Sequence, residues 1–273
     1  MPGRLLVTGA SGQLGRELCG RAAGQGFAVA AFLRAELDVG DAAAVGHAVA
    51  GADVVVNAAA YTAVDRAEEE RDPAFRVNAD GPRHLARACA ARGVPLVHVS
   101  TDYVFDGEKQ GAYVEDDAVG PINVYGASKE AGERAVREEL DRHVILRTSW
   151  VYSSHGHNFV RTMLRFAAER DEFNVVADQH GCPTSAGDLA DAILAVARSL
   201  GAGEGAPGTY HFAGSGATTW HGFAEGVMEL CLPEGQRRPK LVPIPASAFP
   251  RPARRPANSV LDCRKIQEAF GIV

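Results

Sequence analysis

Short apolar runs, separated by stretches that suit helices, dominate the first 150 residues. The runs cover residues 4–8, 27–32, 53–57, 96–100 and 144–148, and none shows the polar alternation of a half-exposed strand. Strands of this kind are typical of a parallel sheet that helices cover on both faces. We therefore predict an α/β protein with a doubly wound parallel sheet, a Rossmann fold, whose ligands bind beyond the carboxyl ends of the strands.

Three glycines follow the first apolar run. Gly9, Gly12 and Gly15 form the pattern G-x-x-G-x-x-G between this run and the first helical stretch. Glycine adopts the backbone angles of a tight turn, and its missing side chain lets a pyrophosphate reach the amides that open the helix. At this place in the chain, the loop predicts a dinucleotide cofactor.

The end of the second run bears on the choice of cofactor. It reads Phe32-Leu33-Arg34, without the acidic residue that usually meets the adenosine ribose. Arg34 is either a partner for a 2′-phosphate, which would favour NADPH over NADH, or a solvated arginine. We expect Asp38 and Val39 to lie against the adenine.

A candidate catalytic set follows the fourth run. Ser100 and Thr101 close that strand, at the edge where the nicotinamide is expected, and Tyr125 and Lys129 lie four residues apart on a helix. A neighbouring ammonium lowers the pKa of a phenol, which makes Tyr125 a candidate proton donor. We expect Lys129 also to hold the nicotinamide ribose, and Thr101 to position a substrate carbonyl for hydride transfer.

Composition excludes several other classes of protein. The net charge of -6 argues against nonspecific nucleic-acid binding. No apolar run approaches the roughly 20 residues that cross a bilayer, and the N-terminus lacks a signal segment. The five cysteines include no Cys-x-x-Cys pair, which fits reduced thiols. We therefore expect a cytoplasmic protein without nucleic-acid or membrane partners.

These features together resemble the extended short-chain dehydrogenase/reductase family and, within it, the dTDP-4-dehydrorhamnose reductase family. Matching segments span nearly the whole chain, and the most specific are NAAAYTAVD, STDYVFDG, RTSWVY and DQHGCPT. The resemblance implies an enzyme that uses NADPH or NADH to reduce the 4-keto group of a dTDP-4-keto-6-deoxy sugar. The reaction it favours converts dTDP-4-dehydrorhamnose to dTDP-L-rhamnose.

The resemblance also implies site residues. Those implied for catalysis are Thr101, Tyr125 and Lys129. With Arg34, Tyr125 and Lys129, those near the cofactor are Gly9, Gly12, Gln13, Leu14, Gly15, Asp38, Val39, Ala58, Ala59, Ala60 and Thr62. Those for the substrate are Thr101, Asp102, Tyr103 and Trp150, with Asn158 and Arg255 as candidates for polar or diphosphate contacts.

The sequence does not support a metal site. His180 and Cys182 lack the further ligands that zinc needs. Some members of the family bind magnesium between subunits, and Glu17 matches one such position. The same pattern also uses a C-terminal segment, and this sequence stops at FGIV without a match to it. A monomer and a homodimer both fit. Four acidic residues are interpreted as a solvated helical face: Asp65, Glu68, Glu69 and Glu70.

We predict a dinucleotide-binding domain over residues 1–150, onto which residues 173–200 pack back. Residues 151–172 and 201–273 are predicted to form a smaller C-terminal substrate-binding lobe.

Two other functions fit the pattern: a 4-ketoreductase for another nucleotide deoxysugar in antibiotic synthesis, and a non-catalytic regulatory subunit of the methionine adenosyltransferase type. The intact Thr101, Tyr125 and Lys129 set favours catalysis.

Overall fold

The structure, a computed structural model, describes residues 3–273. Its strands are β1 (Gly3–Thr8), β2 (Phe27–Phe32), β3 (Val54–Asn57), β4 (Leu96–Thr101), β5 (His143–Thr148), β6 (Val151–Tyr152), β7 (Glu172–Val176), β8 (His180–Gly181), β9 (Thr184–Ser185), β10 (Gly208–His211), β11 (Thr218–Thr219) and β12 (Lys240–Ile244). Its helices are α1 (Gln13–Ala22), α2 (Ala42–Ala48), α3 (Val64–Ala67), α4 (Arg71–Phe75), α5 (Gly81–Ala90), α6 (Val124–Glu139), α7 (Phe159–Glu169), α8 (Ala186–Gly201), α9 (Trp220–Cys231) and α10 (Arg264–Phe270).

Six parallel strands form the central sheet, in the order β10-β5-β4-β3-β1-β2. The order reverses between β1 and β3, and such a switch point leaves a crevice at the carboxyl ends of the strands. The predicted α/β fold with a doubly wound parallel sheet is confirmed.

Helices bury both faces of this sheet. On one face, Leu5 and Val7 pack with Leu18 of α1 and Ile193 of α8. On the other face, the intervening Leu6 packs with side chains of α2, α5 and α6. Successive strand residues point to opposite faces, so a strand buried on both sides needs apolar residues at every position. Burying each such side chain stabilises the fold by roughly 1.5–3 kcal/mol.

A smaller group of elements packs around its own apolar cluster. Met163 of α7, Phe173 of β7 and Val227 of α9 meet there, and β7 pairs in parallel with β12. This cluster belongs to the C-terminal part of the chain, where the sequence predicts a separate lobe.

Two predicted boundaries are wrong. Strand β7 pairs with β12 in the smaller lobe, whereas only α8 of the segment 173–200 packs on the central sheet. Strand β10, predicted in the lobe, instead pairs with β5, and α10 buries Ile266 in the main core. A short apolar run indicates a strand but does not show which strand it pairs with.

Among residues 3–273, no helix has the length and apolar character needed to span a bilayer.

Candidate active site

A cavity of about 500 Å³ opens at the carboxyl edge of the sheet. Its wall is formed by the residues that end or follow β1, β2, β3, β4 and β5, together with one face of α6. Every position that the sequence predicts near the cofactor lies on this wall, as do the substrate candidates Thr101, Asp102 and Trp150. The substrate candidates Tyr103, Asn158 and Arg255 do not line the cavity.

The glycine loop joins β1 to α1 at one end of the cavity. Gly9 has a positive φ of 68°, and a side chain there would place its Cβ 2.7 Å from the Ala58 carbonyl oxygen. The residue that precedes α1, Gly12, offers no side-chain cap, whereas α6, α7, α8 and α9 are each preceded by a polar side chain that accepts a backbone hydrogen bond. The first-turn amides of α1 are thus left for an anionic ligand.

Charged residues line the cavity beyond β2. The Asp38 carboxylate accepts hydrogen bonds from Arg76 at 2.5 Å and from the Gly40 amide at 2.9 Å, and these bonds hold the pKa of Asp38 below its usual value. Arg34 is exposed on the same wall. Because Arg76 already neutralises Asp38, Arg34 adds positive charge to this end of the cavity.

Three predicted catalytic residues converge on the opposite end. Thr101 is the last residue of β4, and its hydroxyl contacts the Tyr125 phenol from α6. The Thr101 hydroxyl also donates to the Asp102 carboxylate at 2.8 Å and accepts from the Tyr103 amide at 3.2 Å. Lys129 lies one helical turn beyond Tyr125, and its ammonium donates to the Val99 carbonyl at 2.7 Å.

The pKa values of this pair differ from the expectation. Burial raises the pKa of Tyr125 to about 12, and burial lowers the pKa of Lys129 to about 8. The predicted lowering of the phenol pKa by the ammonium is wrong for this structure, because Lys129 donates to the Val99 carbonyl and desolvation dominates at Tyr125. The phenol therefore carries its proton at neutral pH.

The start of α6 is fixed by residues that sequence reasoning missed. The Asn123 side chain accepts from the Gly126 amide at 2.7 Å and donates to the Arg254 carbonyl at 2.8 Å. The Glu68 carboxylate accepts from the Val124 amide at 2.9 Å. These bonds satisfy first-turn amides of the helix that presents Tyr125. An Asn just before a helical stretch is the sequence signal that identifies such a cap.

The four residues predicted to form a solvated acidic face are exposed or half-buried, and three of them also make hydrogen bonds within the protein. Besides the Glu68 contact, Glu70 accepts from the Tyr61 hydroxyl at 2.6 Å. Asp65 accepts two hydrogen bonds from Arg255, at 2.5 and 2.9 Å. Arg255 also contacts the Tyr103 hydroxyl, and the Tyr103 ring packs edge-on against Tyr125 with centroids 5.6 Å apart. Arg255 is thus held by Asp65 rather than presented to the cavity.

Asn158 serves a different purpose from the predicted substrate contact. Its side-chain oxygen accepts from the Arg161 amide at 3.0 Å and caps α7. Its amide group donates to the Gln13 side chain at 2.9 Å. Because Gln13 lines the cavity, Asn158 links the smaller lobe to the glycine loop without reaching the cavity itself.

Trp150 lies on the cavity wall in an unusual backbone conformation. It is the one non-glycine residue among residues 3–273 with a positive φ, 49°, a conformation that costs of order 1–3 kcal/mol. Its ring stacks on Trp220 with centroids 3.6 Å apart, and a Cβ on Gly181 would overlap its indole. Trp220, which the sequence did not single out, and Gly181 of the DQHGCPT segment therefore both restrict the position of the indole.

Asp102 is the one buried carboxylate on the wall with an unpartnered oxygen among the described residues. Burial raises its pKa to about 6, against opposing contacts with Ser259 and Thr101. Elsewhere, Glu17 pairs with Arg21 at 3.1 Å. Across the described part of the chain, no three His, Cys, Asp or Glu side chains are grouped to hold a metal ion.

Comparison with known proteins adds independent findings. Residues 3–273 match the family described as RmlD substrate binding domain. A dTDP-4-dehydrorhamnose reductase from Sinorhizobium fredii is 47% identical over 98% of this chain and 92% of its own length. One from Burkholderia thailandensis is 46% identical over 98% and 93%. The crystal structure of dTDP-4-dehydrorhamnose reductase from Bacillus anthracis in complex with NADP superposes with a TM-score of 0.92, at 37% identity over 98% of this chain and 93% of that one.

Proposed function

This chain belongs to the RmlD substrate binding domain family, and we propose that it uses NADPH to reduce dTDP-4-dehydrorhamnose to dTDP-L-rhamnose. One observation supports the proposal most strongly: Thr101, Tyr125 and Lys129 lie on the wall of the same cavity as the glycine loop. A proton donor and a dinucleotide cradle thus share one space, which a ketoreductase requires.

The residues present fit a nicotinamide dinucleotide. The bare backbone of the glycine loop and the uncapped start of α1 suit its pyrophosphate, and Arg34 suits a 2′-phosphate. When bound, the cofactor supplies the hydride that forms the new C–H bond at the carbonyl carbon of the sugar. Lys129 is placed one turn from Tyr125, where its ammonium can hold the nicotinamide ribose.

Side chains of this protein orient and protonate the carbonyl oxygen of the substrate. The Thr101 and Tyr125 hydroxyls contact each other on the cavity wall, and we expect both to meet this oxygen and orient the keto group. The Tyr125 phenol gives its proton to that oxygen as the C=O bond becomes C–O–H, and the charge left on the phenolate is stabilised by the Lys129 ammonium. Trp150, stacked on Trp220, supplies an apolar aromatic surface on the cavity wall for the sugar nucleotide.

Arg34→Ala is expected to weaken NADPH binding by at least about tenfold and to leave NADH binding within about twofold. Only NADPH carries the 2′-phosphate, and a charge-assisted pair of this kind contributes on the order of 1.5–3 kcal/mol. Calorimetric titration of both cofactors measures the difference, with Arg134→Ala on the outer face of α6 as the matched control. Equal losses for the two cofactors would remove Arg34 from the 2′-phosphate site.

Gly181→Ala is expected to raise the KM for the nucleotide sugar by at least about tenfold while the NADPH Kd stays within about twofold. The added Cβ overlaps the Trp150 indole, so the ring must leave its stack on Trp220. Steady-state kinetics together with tryptophan fluorescence check this, and Gly226→Ala, where a Cβ meets nothing within 4 Å, is the control. An unchanged KM with a displaced indole would show that Trp150 does not contact the sugar nucleotide.

The function itself is tested by incubating the purified protein with NADPH and dTDP-4-dehydrorhamnose. We expect NADPH consumption with an equal amount of dTDP-rhamnose identified by NMR. Preferential turnover of a different dTDP-4-keto-6-deoxy sugar would instead assign a ketoreductase of another deoxysugar pathway. If folded protein that binds NADPH turns over none of these sugars, the proposal fails and a non-catalytic, regulatory role replaces it.

Three further assignments belong to the same proposal. We assign the group around Met163, Phe173 and Val227 as the substrate lobe, because Trp220 of this part of the chain supports Trp150. A cytoplasmic location is supported by five cysteines that are all free thiols in the structure. The proposal is compatible with either a monomer or a homodimer.

A further inference from the structure

A carboxylate without a place in the proposed chemistry lies directly behind the catalytic pair. Tyr125, Lys129 and Glu133 follow one another at four-residue intervals, so they share one face of α6. The Glu133 side chain is completely buried, with 0% exposure. An ionised carboxylate in such a place is costly unless several hydrogen bonds compensate it.

Glu133 has those hydrogen bonds. One oxygen accepts from the Ser100 hydroxyl at 2.6 Å and from Arg147 at 2.9 Å. The other accepts from a second nitrogen of Arg147 at 2.7 Å and from Arg137 at 3.1 Å. Arg147 lies opposite Ser100 in the β4–β5 pairing, so the carboxylate joins α6 to two neighbouring strands.

The Ser100–Glu133 bond is one of three contacts between β4 and α6. Three consecutive residues of β4 each meet one residue of the shared helix face. The Val99 carbonyl accepts from Lys129, the Ser100 hydroxyl donates to Glu133, and the Thr101 hydroxyl contacts the Tyr125 phenol. A shift of the helix along the strand would break all three contacts together. Of these three contacts, only the hydrogen bond between Ser100 and Glu133 involves neither a proposed catalytic residue nor a backbone group.

We propose that Glu133 is a positioning residue that sets the register of α6 on β4 through Ser100 and keeps Lys129 in its charged form. This inference rests on the proposed function, since it assigns a role in the same site. A buried ion pair that only stabilised the fold would lower stability when one partner is removed and would leave the chemistry of the site unchanged. The three contacts between β4 and α6 instead link Glu133 to the positions of Lys129 and Tyr125 and to the charge of Lys129.

The charge effect follows from the groups around Lys129. Burial lowers the pKa of Lys129 to about 8, and the negative charge of Glu133 acts in the opposite direction. His98 of β4 also interacts with Lys129, and Tyr125 lies one turn away on the same helix. Arg137 and Arg147 face Glu133 from α6 and β5. Removing the Glu133 charge is therefore expected to lower the pKa of Lys129 further.

Glu133→Gln tests the charge effect. Because Lys129 acts as an ammonium, activity is present below its pKa and is lost as the pH rises through it. We expect the alkaline limb of the kcat profile to move to lower pH by about one unit in Glu133→Gln. Glu138→Gln, which removes an exposed charge from the same helix, is expected to leave the limb unmoved. An unmoved limb in folded Glu133→Gln overturns the proposed charge effect.

Ser100→Ala tests the register and keeps the protein folded, because the Glu133–Arg147 pair is left intact. We expect kcat to fall about fivefold to tenfold, with the NADPH Kd, the alkaline limb and the melting temperature close to wild type. Wild-type kcat in Ser100→Ala overturns the positioning role. If folded wild-type protein that binds NADPH turns over no dTDP-4-keto-6-deoxy sugar, the proposed function itself fails, so the two failures are distinguishable.

Discussion

Tyr125→Phe is expected to bind NADPH normally and to lose at least about a hundredfold in kcat, the usual contribution of a positioned general acid. The substitution removes one oxygen and leaves the ring, which still packs edge-on against Tyr103. What disappears is the proton that meets the carbonyl oxygen and the contact with Thr101. Single-turnover kinetics at saturating NADPH isolate this step from cofactor binding.

Tyr210→Phe is the matched control for that measurement. The Tyr210 hydroxyl donates to the Ala206 carbonyl at 2.8 Å, away from the cavity, so its removal should leave kcat within about twofold of wild type. Near-normal turnover in Tyr125→Phe would show that the proton comes from another group. Asp102, whose pKa burial raises to about 6, would then be the first residue to test.

Gly12→Val is expected to reduce NADPH affinity by at least about a hundredfold, equivalent to about 2.7 kcal/mol. The loss arises because a branched side chain at the start of α1 stands where the pyrophosphate must approach the first-turn amides. The backbone of Gly12 has an ordinary φ of -67°, and only the Gly9 carbonyl oxygen lies near a Cβ there, at 3.2 Å. The protein is therefore expected to stay folded while it loses its cofactor.

Gly20→Val separates this effect from a general loss of helix stability. Gly20 lies in the same helix, is exposed, and has nothing within 4 Å of a Cβ. Titration of both folded variants with NADPH is the measurement, and Gly20→Val should bind within about twofold of wild type. An unchanged Kd in Gly12→Val would move the pyrophosphate away from the glycine loop.

The central sheet was predictable because its signal is local. The apolar run at 27–32 is β2 (Phe27–Phe32), and the runs at 96–100 and 144–148 fall within one residue of β4 and β5. A strand buried on both faces must be apolar throughout, so the sequence alone reveals it. Strand β10 was placed in the wrong part because pairing depends on distant residues, here those of β5.

The cavity wall was predictable for a related reason. Residues at the carboxyl ends of parallel strands meet at one edge whatever the rest of the chain does, so Gly9, Ala58 and Thr101 share a cavity. Polar residues elsewhere have no such constraint. Nothing local shows that Arg255 is held by Asp65, or that Asn158 binds Gln13.

The pKa values illustrate a second limit of sequence reasoning. Spacing places Lys129 one turn from Tyr125, but it does not reveal that the ammonium donates to the Val99 carbonyl. Nor does it show that burial raises the pKa of the phenol to about 12. Desolvation depends on everything packed around a group, and therefore on the complete fold.

The most direct test is a crystal structure with NADPH and a dTDP-sugar bound in the cavity. We expect the pyrophosphate on the start of α1, and the Tyr125 hydroxyl within hydrogen-bond distance of the sugar oxygen beside the nicotinamide. A nicotinamide ring seated elsewhere, with the Tyr125 hydroxyl out of reach of the sugar, would contradict the assignment of this chain as a ketoreductase.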